Sequence, residues 1–401
     1  MFDLSRHPYF EKYTDPVSGV ESFILTKKVG GLQRHFYFAQ RSVTDDGKYL
    51  WVMCANPPAR YFTFAVVSLD PDDPFIRHFP HASPDSGLPC ISPDGKGVYY
   101  CMGNALYSVD VQGEVKKILE LPWEYIKGRR LEQMCTHVSV SCDGKYVALD
   151  ISISQKTYMA IGELATGKLT VLNKFLRCYN HAMFSPNRPD LILLDQDWSR
   201  DYSSGEYFPI DNRMWIMNTD GKHFEPLVPK MFYGRDGTEM AHDYWSDDGY
   251  VCWSDYYNGA FECNVDTKET NWVWQRPICH SHCSCDRRLF VGDNFPYTWE
   301  KDPCQVLFYD RSSNKEIAVF SAMPYNPLWA AGYHTDPHPQ FCVKDEIIVS
   351  TTTVRNGDFD VAITYTKPLL ERCREDGIFV VYGTQKPFEP GSWCEEIKTF
   401  G

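Results

Sequence analysis

Five histidines recur at the same point of a repeating pattern. Each lies four to seven residues before a polar turn that leads into a short apolar strand: His137, His181, His242, His280 and His338. A shared offset predicts a shared place in the fold, which we interpret as the inner strand of each repeat. Imidazoles beside a carboxylate such as Asp336 are ligands of divalent transition metals. The alternative is that a polar residue is simply favoured where inner strands line a wet channel.

The turns that follow these histidines belong to a motif that occurs seven times. The copies begin at Thr44, Ser92, Ser141, Ser185, Ser246, Ser284 and Val343. Six of them are followed by a second hairpin-type turn, and their spacing, from under 40 to about 60 residues, brackets the length of a four-stranded propeller blade. We predict an all-β chain that forms a single seven-bladed β-propeller domain over residues 1–401, with the segment from Thr14 closing the last blade. A β-sandwich pair or two small barrels fit the regular repeat less well.

Composition narrows the class of protein. The net charge of −13 opposes a surface that follows nucleic-acid phosphates, so no nucleic-acid partner is expected. No run of about 18 apolar residues and no signal-peptide pattern occurs, which predicts a cytoplasmic protein without membrane contact. The fifteen scattered cysteines indicate reduced thiols. Walker, Rossmann, GxSxG and HExxH motifs are absent from the sequence.

Four segments resemble the oligogalacturonate lyase family: NRMWIMNTDG from Asn212, MAHDYWSDDG from Met240, CHSHCSCDRRLFVGDN from Cys279 and TDPHPQF from Thr335. The resemblance implies a seven-bladed propeller that holds a manganese-type ion with three histidines and a glutamine. By motif, His280 matches the first ligand and His338 the last. Asp336 stands where the family has histidine, and the family glutamine falls near Tyr333. We therefore expect a divalent metal at His280, Asp336 and His338, with manganese favoured over calcium or zinc.

The family's reaction is β-elimination, in which a base removes the C5 proton of a uronic acid and the C4 oxygen departs. The resemblance gives the base role to Arg213, although an arginine normally stays protonated. His242 and His181 are the alternative bases. Arg213 could equally clamp the substrate carboxylate, or it could be a strand-edge arginine paired with Asp211 or another acid.

Substrate contacts are expected around the same motifs. Arg34 and His35 precede the first blade turn, where the family has the same pair in the opposite order. Trp198 and Tyr207 lie with Tyr202 in a long fourth-repeat insertion and could stack on a sugar ring. The predicted substrate-binding residues are Arg34, His35, His137, Tyr202, Tyr333 and His334.

The sequence thus predicts a lyase that acts on a short, anionic, uronic-acid-containing oligosaccharide. One alternative is glycoside hydrolysis on the same scaffold, which needs two carboxylates at a suitable separation, with Asp195, Asp197, Asp243 and Asp336 as candidates. The other is a propeller that binds a protein or a sugar without catalysis. No oligomeric state is predicted.

Overall fold

Short strands joined by tight turns make up most of the regular structure. The computed structural model describes residues 2–201, 203–228, 240–294, 304–328, 332–333 and 335–374, and the backbone of 380–381 and 386–387. Two residues predicted from the sequence to bind substrate, Tyr202 and His334, lie outside these ranges.

The chain divides into two compact units. The first comprises Met1–Ser83, Cys252–Glu262 and Asn271–Lys386, and the second Pro84–Val251, Cys263–Thr270 and Pro387–Gly401. The prediction of a single domain over residues 1–401 stays a prediction.

Three sheets lie within the first unit. One contains β1 (Phe10–Thr14), β2 (Glu21–Leu25), β30 (Gln340–Cys342), β31 (Ile347–Thr352) and β32 (Asp360–Tyr365), in the order β1-β2-β32-β31-β30. The second contains β3 (Leu32–Arg34), β4 (Tyr49–Ala55), β5 (Thr63–Ser68) and β6 (Ile76–Phe79) in chain order. The third contains β26 (Ser281–Cys283), β27 (Leu289–Asp293), β28 (Cys304–Asp310), β29 (Lys315–Met323) and β33 (Val380–Val381) in chain order.

Three further sheets and a small hairpin lie within the second unit. The first sheet contains β7 (Ser86–Ile91), β8 (Gly97–Met102), β9 (Ala105–Asp110) and β10 (Val115–Glu120). The next contains β11 (Leu131–Gln133), β12 (Ser139–Val140), β13 (Tyr146–Ile153), β14 (Lys156–Glu163) and β15 (Leu169–Phe175). The last contains β16 (Cys178–Phe184), β17 (Leu191–Asp197), β20 (Met214–Asn218) and β21 (Phe224–Pro226), and the hairpin pairs β18 (Ser199–Arg200) with β19 (Tyr207–Phe208).

A seventh sheet completes the set in the described residues. It contains β22 (Met240–Trp245), β23 (Tyr250–Asp255), β24 (Gly259–Asn264), β25 (Thr270–Trp274) and β34 (Lys386–Pro387). Seven sheets of four or five strands, one for each copy of the sequence motif, are the blades of a β-propeller. The predicted all-β, seven-bladed fold is confirmed.

The repeated turn has a common hydrogen-bond pattern. In six copies the first side chain of the motif bonds to the side chain two residues later at 2.6–2.9 Å: Thr44 with Asp46, Ser92 with Asp94, Ser141 with Asp143, Ser185 with Asn187, Ser246 with Asp248 and Ser284 with Asp286. A local bond of this kind favours a turn over continued strand. The motif therefore recurs because it ends the first strand of each blade.

The first two strands of the chain join the last blade. Phe23 of β2 pairs with Ile363 of β32, and Ile24 pairs with Ala362. Apolar residues of this sheet, including Phe23, Val349 and Ile363, are buried in one core cluster with strands of the first blade. Each fully buried side chain of this size contributes about 1.5–3 kcal/mol.

Helices are few among the described residues. They are a 3₁₀ turn at Leu4–Arg6, α1 (Trp123–Ile126) and α2 (Thr366–Arg372). None of these described helices has the length and apolar character needed to cross a bilayer.

Candidate functional site

The inner strands of several blades place their histidines through an unusual backbone conformation. His181, His242 and His338 have φ values of 53°, 57° and 43°. A residue other than glycine in the left-handed region is uncommon and costs of order 1–3 kcal/mol, so tertiary packing must hold it there. At His181 the pairing of β16 with β17 shifts register between Asn180 and Met183, as in a bulge. The shared sequence offset thus corresponds to a shared backbone state in three of the five repeats.

One cluster of potential metal ligands lies within the first unit. His280, Asp336 and His338, called here the His280 cluster, each bring one ligand atom within 4.8 Å of the others. The two imidazole rings are 4.1 Å apart between centroids, and His338 Nε2 lies 3.8 Å from Asp336 Oδ2. Two imidazoles and a carboxylate are a donor set that divalent transition metals accept. The three residues predicted to ligate a metal are therefore brought together.

Asp293 orients both histidines of the His280 cluster. Its carboxylate accepts hydrogen bonds from His280 Nδ1 at 3.0 Å, from the His280 backbone N–H at 2.9 Å and from the His338 backbone N–H at 3.0 Å. A carboxylate on Nδ1 fixes the tautomer in which Nε2 is left as the metal-binding nitrogen. Asp293 was not identified in the sequence. The available signal was its spacing, because Asp293 follows His280 by thirteen residues and Asp195 follows His181 by fourteen.

Arg34 is a buried guanidinium at the end of β3. Burial lowers the pKa of Arg34 to about 10, and attraction to Asp336 opposes that shift. Its guanidinium carbon stacks 4.7 Å from the centre of the Phe62 ring. Among the described residues, Nε and Nη1 of Arg34 have no hydrogen-bond acceptor. A buried cation with unpaired donors is costly, so this side chain is suited to an anionic ligand.

The neighbouring His35 has both ring nitrogens bonded within the protein. Nδ1 lies 2.8 Å from Thr351 Oγ1, and Nε2 lies 2.7 Å from the His338 carbonyl oxygen. Burial is the main cause that lowers the pKa of His35 to about 3, so the ring stays neutral. These bonds support the backbone of the His280 cluster. Direct contact between His35 and substrate stays a prediction.

Aromatic side chains of the first unit lie near Arg34 and the His280 cluster, and Tyr333 is the one among them that was predicted to bind substrate. Tyr333 is buried, packs edge-on against Phe62 and donates from its hydroxyl to the Ala59 carbonyl oxygen at 3.2 Å. The rings of Tyr37 and Phe38 lie 4.7 Å from His338 and 5.4 Å from His280, respectively, between centroids. Sequence reasoning did not identify these two aromatic residues, which flank the cluster on an apolar side.

A second cluster lies within the second unit around Arg213, which directly precedes β20. Its guanidinium contacts Asp195 Oδ2 at 2.6 Å and Asp197 Oδ1 at 3.2 Å, and its Nε lies 3.9 Å from Asp243 Oδ1. Arg213, Asp195, Asp197, Asp243 and His181 are called here the Arg213 cluster. Three carboxylates favour the cationic form of the guanidinium, which opposes a role for Arg213 as a base. Of the partners considered for Arg213, Asp211 is bonded to Arg177, whereas other acids contact Arg213.

Asp195 and Asp243 form a buried carboxyl pair. The two groups have ligand atoms within 4.8 Å of each other, and no described residue donates a hydrogen bond to Asp195 Oδ1 or to either oxygen of Asp243. Burial raises the pKa of Asp195 to about 6, and burial together with the charge of Asp195 raises the pKa of Asp243 well above its ordinary value. Two buried carboxyls in contact do not both ionise readily, so a proton or another cation must accompany them.

His181 links this pair to a more open position. Its Nδ1 lies 2.9 Å from Asp195 Oδ2, and its ring stacks edge-on with His137 at 4.9 Å between centroids. The His181 side chain is 22% exposed. Burial, followed by the positive charge of Arg213, lowers the pKa of His181 and keeps its imidazole neutral. His181, Asp195 and Asp243 also bring ligand atoms within 4.8 Å of one another.

The remaining predicted residues of the second unit are placed as follows. His137 is buried and its backbone forms a parallel bridge with Leu88. His242 lies on β22 and is partly exposed. Trp198 and Tyr207, at the β18–β19 hairpin, are 59% and 56% exposed and stack at 6.2 Å between ring centroids. Trp198 directly follows Asp197, which contacts Arg213. The hairpin therefore presents an aromatic surface beside the Arg213 cluster.

Comparison with known proteins gives a fold-level match. No family model matches the sequence, and no curated protein matches it. Among solved structures, an oligogalacturonate lyase in complex with manganese superposes with a TM-score of 0.70 at 17% identity, over 89% of this chain and 96% of that one. An oligogalacturonate lyase from Vibrio parahaemolyticus gives 0.71 at 19% identity over the same shares. The chain has the oligogalacturonate lyase fold. The family resemblance noted in the sequence is thus matched by the three-dimensional structure.

Proposed function

We propose that this protein is a lyase that cleaves short uronic-acid-containing oligosaccharides by β-elimination. In this reaction the C5–H bond breaks, its electron pair forms the C4–C5 double bond, and the C4–O bond breaks as the oxygen departs. The proposal draws on the fold, on Arg34 and the His280 cluster within the first unit, and separately on the Arg213 cluster within the second. The partner it implies is an anionic oligosaccharide.

The observation that carries the proposal is the state of Arg34. It is a buried arginine with two nitrogens that no described acceptor reaches, in the same unit as the His280 cluster and within electrostatic reach of Asp336. A uronate carboxylate supplies the charge and the paired oxygens that a guanidinium binds. Removal of a proton next to a carboxylate also becomes easier when the negative charge on that carboxylate is stabilised. Arg34 would thus bind the substrate and assist its reaction.

The His280 cluster fits a divalent metal, and manganese is proposed because the donor set matches and a similar structure was solved with manganese. His280, Asp336 and His338 would hold the ion, with Asp293 fixing the ring of His280. A divalent ion supplies Lewis-acid stabilisation of developing negative charge. The replacement of the family histidine by Asp336 makes the site one charge more negative, which favours retention of a harder cation.

For the proton-accepting role we propose His181 rather than Arg213. His181 is neutral, partly exposed and oriented by Asp195, whereas Arg213 is surrounded by carboxylates that hold it as a cation. Arg213 would neutralise the charge of the carboxyl pair. His242 remains the alternative base, since its backbone has the same left-handed conformation.

Glycoside hydrolysis is less well supported by the carboxylate geometry. Asp195 and Asp243 have ligand atoms within 4.8 Å of each other. Retaining glycosidases hold their two carboxyl groups roughly 5–5.5 Å apart, and inverting enzymes hold them farther apart. The two carboxyl groups are therefore closer together than those of a glycosidase. This separation suits a shared proton and not two groups on either side of a sugar ring.

The test combines metal analysis with an activity assay. Elemental analysis of the purified protein is expected to find a divalent metal that His280→Ala loses. His282→Gln should retain it, because His282 Nδ1 accepts a hydrogen bond from the Phe341 N–H and is not among the proposed ligands. Saturated oligouronides should develop the ultraviolet absorbance of a double bond conjugated with a carboxylate. New reducing ends without that absorbance would indicate hydrolysis and contradict the proposal.

Two arginine variants test whether Arg34 binds the substrate. Arg34→Lys keeps the charge but removes the planar donor pair, and should lower kcat/KM by roughly ten- to a hundredfold, the equivalent of a charged hydrogen bond. Arg41→Lys is the matched control, because the pair of Arg41 with Asp45 is a long surface contact of 3.8 Å. Equal activity in both variants would remove Arg34 from the substrate site.

A further inference from the structure

We propose that Asp243, Asp195 and His181 form a hydrogen-bonded chain, called here the relay. In it the two carboxyl groups share one proton, and His181 presents Nε2 as the base. This inference deepens the proposed function and rests on it for the identity of the reaction. It assigns Asp195 and Asp243 roles as positioning residues, since neither is required to touch the substrate.

Hydrogen bonds are unevenly distributed over the oxygens of Asp195 and Asp243. Asp195 Oδ2 is occupied, because it receives His181 Nδ1 at 2.9 Å and the Arg213 guanidinium at 2.6 Å. Asp195 Oδ1 and both Asp243 oxygens receive no donor from the other described residues. A single proton between Asp195 Oδ1 and one Asp243 oxygen supplies a hydrogen bond that joins the two groups and accounts for two of these three oxygens.

The charges of the surrounding side chains favour one proton on the carboxyl pair. The side chains that face the relay are Arg213, Asp197, Asp150 and His137. Arg213 contributes one positive charge against the three carboxylates of its cluster, so a fully ionised cluster would bury excess negative charge. Protonation of Asp243 lowers that excess and leaves Asp195 as the carboxylate that Arg213 and His181 both contact.

The tautomer of His181 follows from its contact with Asp195. An ionised Asp195 accepts from Nδ1–H, so Nε2 of the neutral ring carries the lone pair. The edge-on contact with His137 holds the ring plane, and the 22% exposure of the side chain leaves it accessible. Nε2 is then in the state that a general base requires.

The proposed step balances as follows. His181 Nε2 takes the C5 proton, the C5–H electron pair becomes the C4–C5 double bond, and the C4–O bond breaks with its pair on oxygen. A water molecule protonates that oxygen. The resulting imidazolium is stabilised by Asp195 and afterwards returns its proton to water, which restores the neutral ring.

Two asparagine variants distinguish the members of the relay. Asp243→Asn keeps a neutral group that can donate to Asp195 Oδ1, so kcat should stay within about tenfold of wild type. Asp195→Asn replaces the acceptor with a donor next to Nδ1, which favours the wrong tautomer. By analogy with the histidine–aspartate pairs of hydrolases, kcat should fall by about a hundredfold or more, up to about 10⁴-fold. Equal losses in the two variants would overturn the relay.

Asp255→Asn is the matched control for loss of a buried carboxylate, because Asp255 accepts hydrogen bonds from Tyr257 and Asn258 in its own local turn. Thermal melting of all three variants shows whether each is folded. Rescue of kcat without a change in KM would be expected for Asp195→Glu, which restores an acceptor, and the absence of any rescue would count against the relay.

A spectroscopic readout separates this inference from the proposed function. In protein with ¹⁵N-labelled histidine, the His181 signal, identified by its loss in His181→Gln, should show a neutral ring protonated at Nδ1 near pH 7. Protonation at Nε2 would overturn the relay whether or not any uronide is cleaved. If wild type cleaves no uronide while the Nδ1–H tautomer is found, the proposed function fails and the relay stands.

A cation is the competing occupant of the carboxyl pair. Mn²⁺ or Ca²⁺ added to His280→Ala protein should not bind if the pair holds a proton. Stoichiometric binding in that background, lost again in the double variant with Asp243→Asn, would replace the relay with a metal site.

Discussion

The Asp293 carboxylate holds His280 through its ring and its backbone at once, at 3.0 Å from Nδ1 and 2.9 Å from the peptide nitrogen. The same carboxylate receives the His338 N–H at 3.0 Å. One buried side chain therefore sets the orientation of two proposed metal ligands that lie in different blades.

Asp293→Asn should weaken metal binding without removing a ligand. An amide cannot accept at both oxygen positions, so the His280 ring loses its fixed tautomer, and affinity for Mn²⁺ should fall about ten- to a hundredfold. Isothermal titration of metal-free protein measures the change. Asp286→Asn, in the turn after His280, is the control and should bind as wild type does. An unchanged affinity in Asp293→Asn would show that this bond does not tune the site.

Arg213→Gln should destabilise the protein because it leaves buried carboxylates without their cation. The expected loss of unfolding free energy is about 3–5 kcal/mol at pH 7.5, measured by urea denaturation. The loss should be smaller at pH 5, below the pKa of about 6 of Asp195, where the carboxyl pair takes up protons. Arg177→Gln removes a surface pair with Asp211 and should cost no more than about 1 kcal/mol. Similar losses for both arginines would contradict this account.

Asp150 should make stability fall as the pH rises. Burial raises the pKa of Asp150 to about 6 although Thr136 donates to it from N–H and hydroxyl. A folded-state pKa above the ordinary 3.8 means that the folded protein binds the proton more tightly than the unfolded chain. Relative to Asp150→Asn, wild type should therefore lose about 3 kcal/mol between about pH 4 and pH 6. A difference between the two proteins that does not vary with pH would refute this assignment.

Trp198 should report the binding of oligouronides. Its exposed ring stacks on Tyr207 beside the residue that contacts Arg213, so a sugar placed on this surface should change tryptophan fluorescence. Trp198→Ala is expected to lower affinity for a trimer about tenfold, in keeping with roughly 1 kcal/mol from an aromatic contact. Trp123→Ala, another exposed tryptophan in the same unit, is the control. Equal affinities in the two variants would exclude the hairpin from the binding site.

Features of the fold that depend on residues close together in the chain could be predicted from the sequence. A serine or threonine bonded to a residue two positions later makes the blade turn, and that signal lies within four residues. Seven such turns at blade spacing predict the fold without any knowledge of contacts. The similar offset of the histidines from these turns likewise predicted comparable positions for His280 and His338, which lie just before β26 and β30 and close to Asp336.

Partners across strands could not be predicted in the same way. One reading of Arg213 paired it with Asp211 or another acid, and the acids that it contacts are Asp195 and Asp197 of the adjacent strand, which lie far from it in the chain. The role of Asp293 depends on strand register, which brings it opposite His280. The difference between Arg34 and His35 depends on burial and on partners more than 300 residues away in the chain.

The pairing of β2 with β32 also constrains the order of assembly. The last blade draws strands from both early and late parts of the chain, so during translation β1 and β2 emerge long before their partner strand is made. Until then the apolar edge of β2 that will pair with β32 stays unpaired. Closure of this blade is therefore the slow, non-local event expected to limit folding, and a circular permutant opened between β2 and β3 should fold faster than the natural chain.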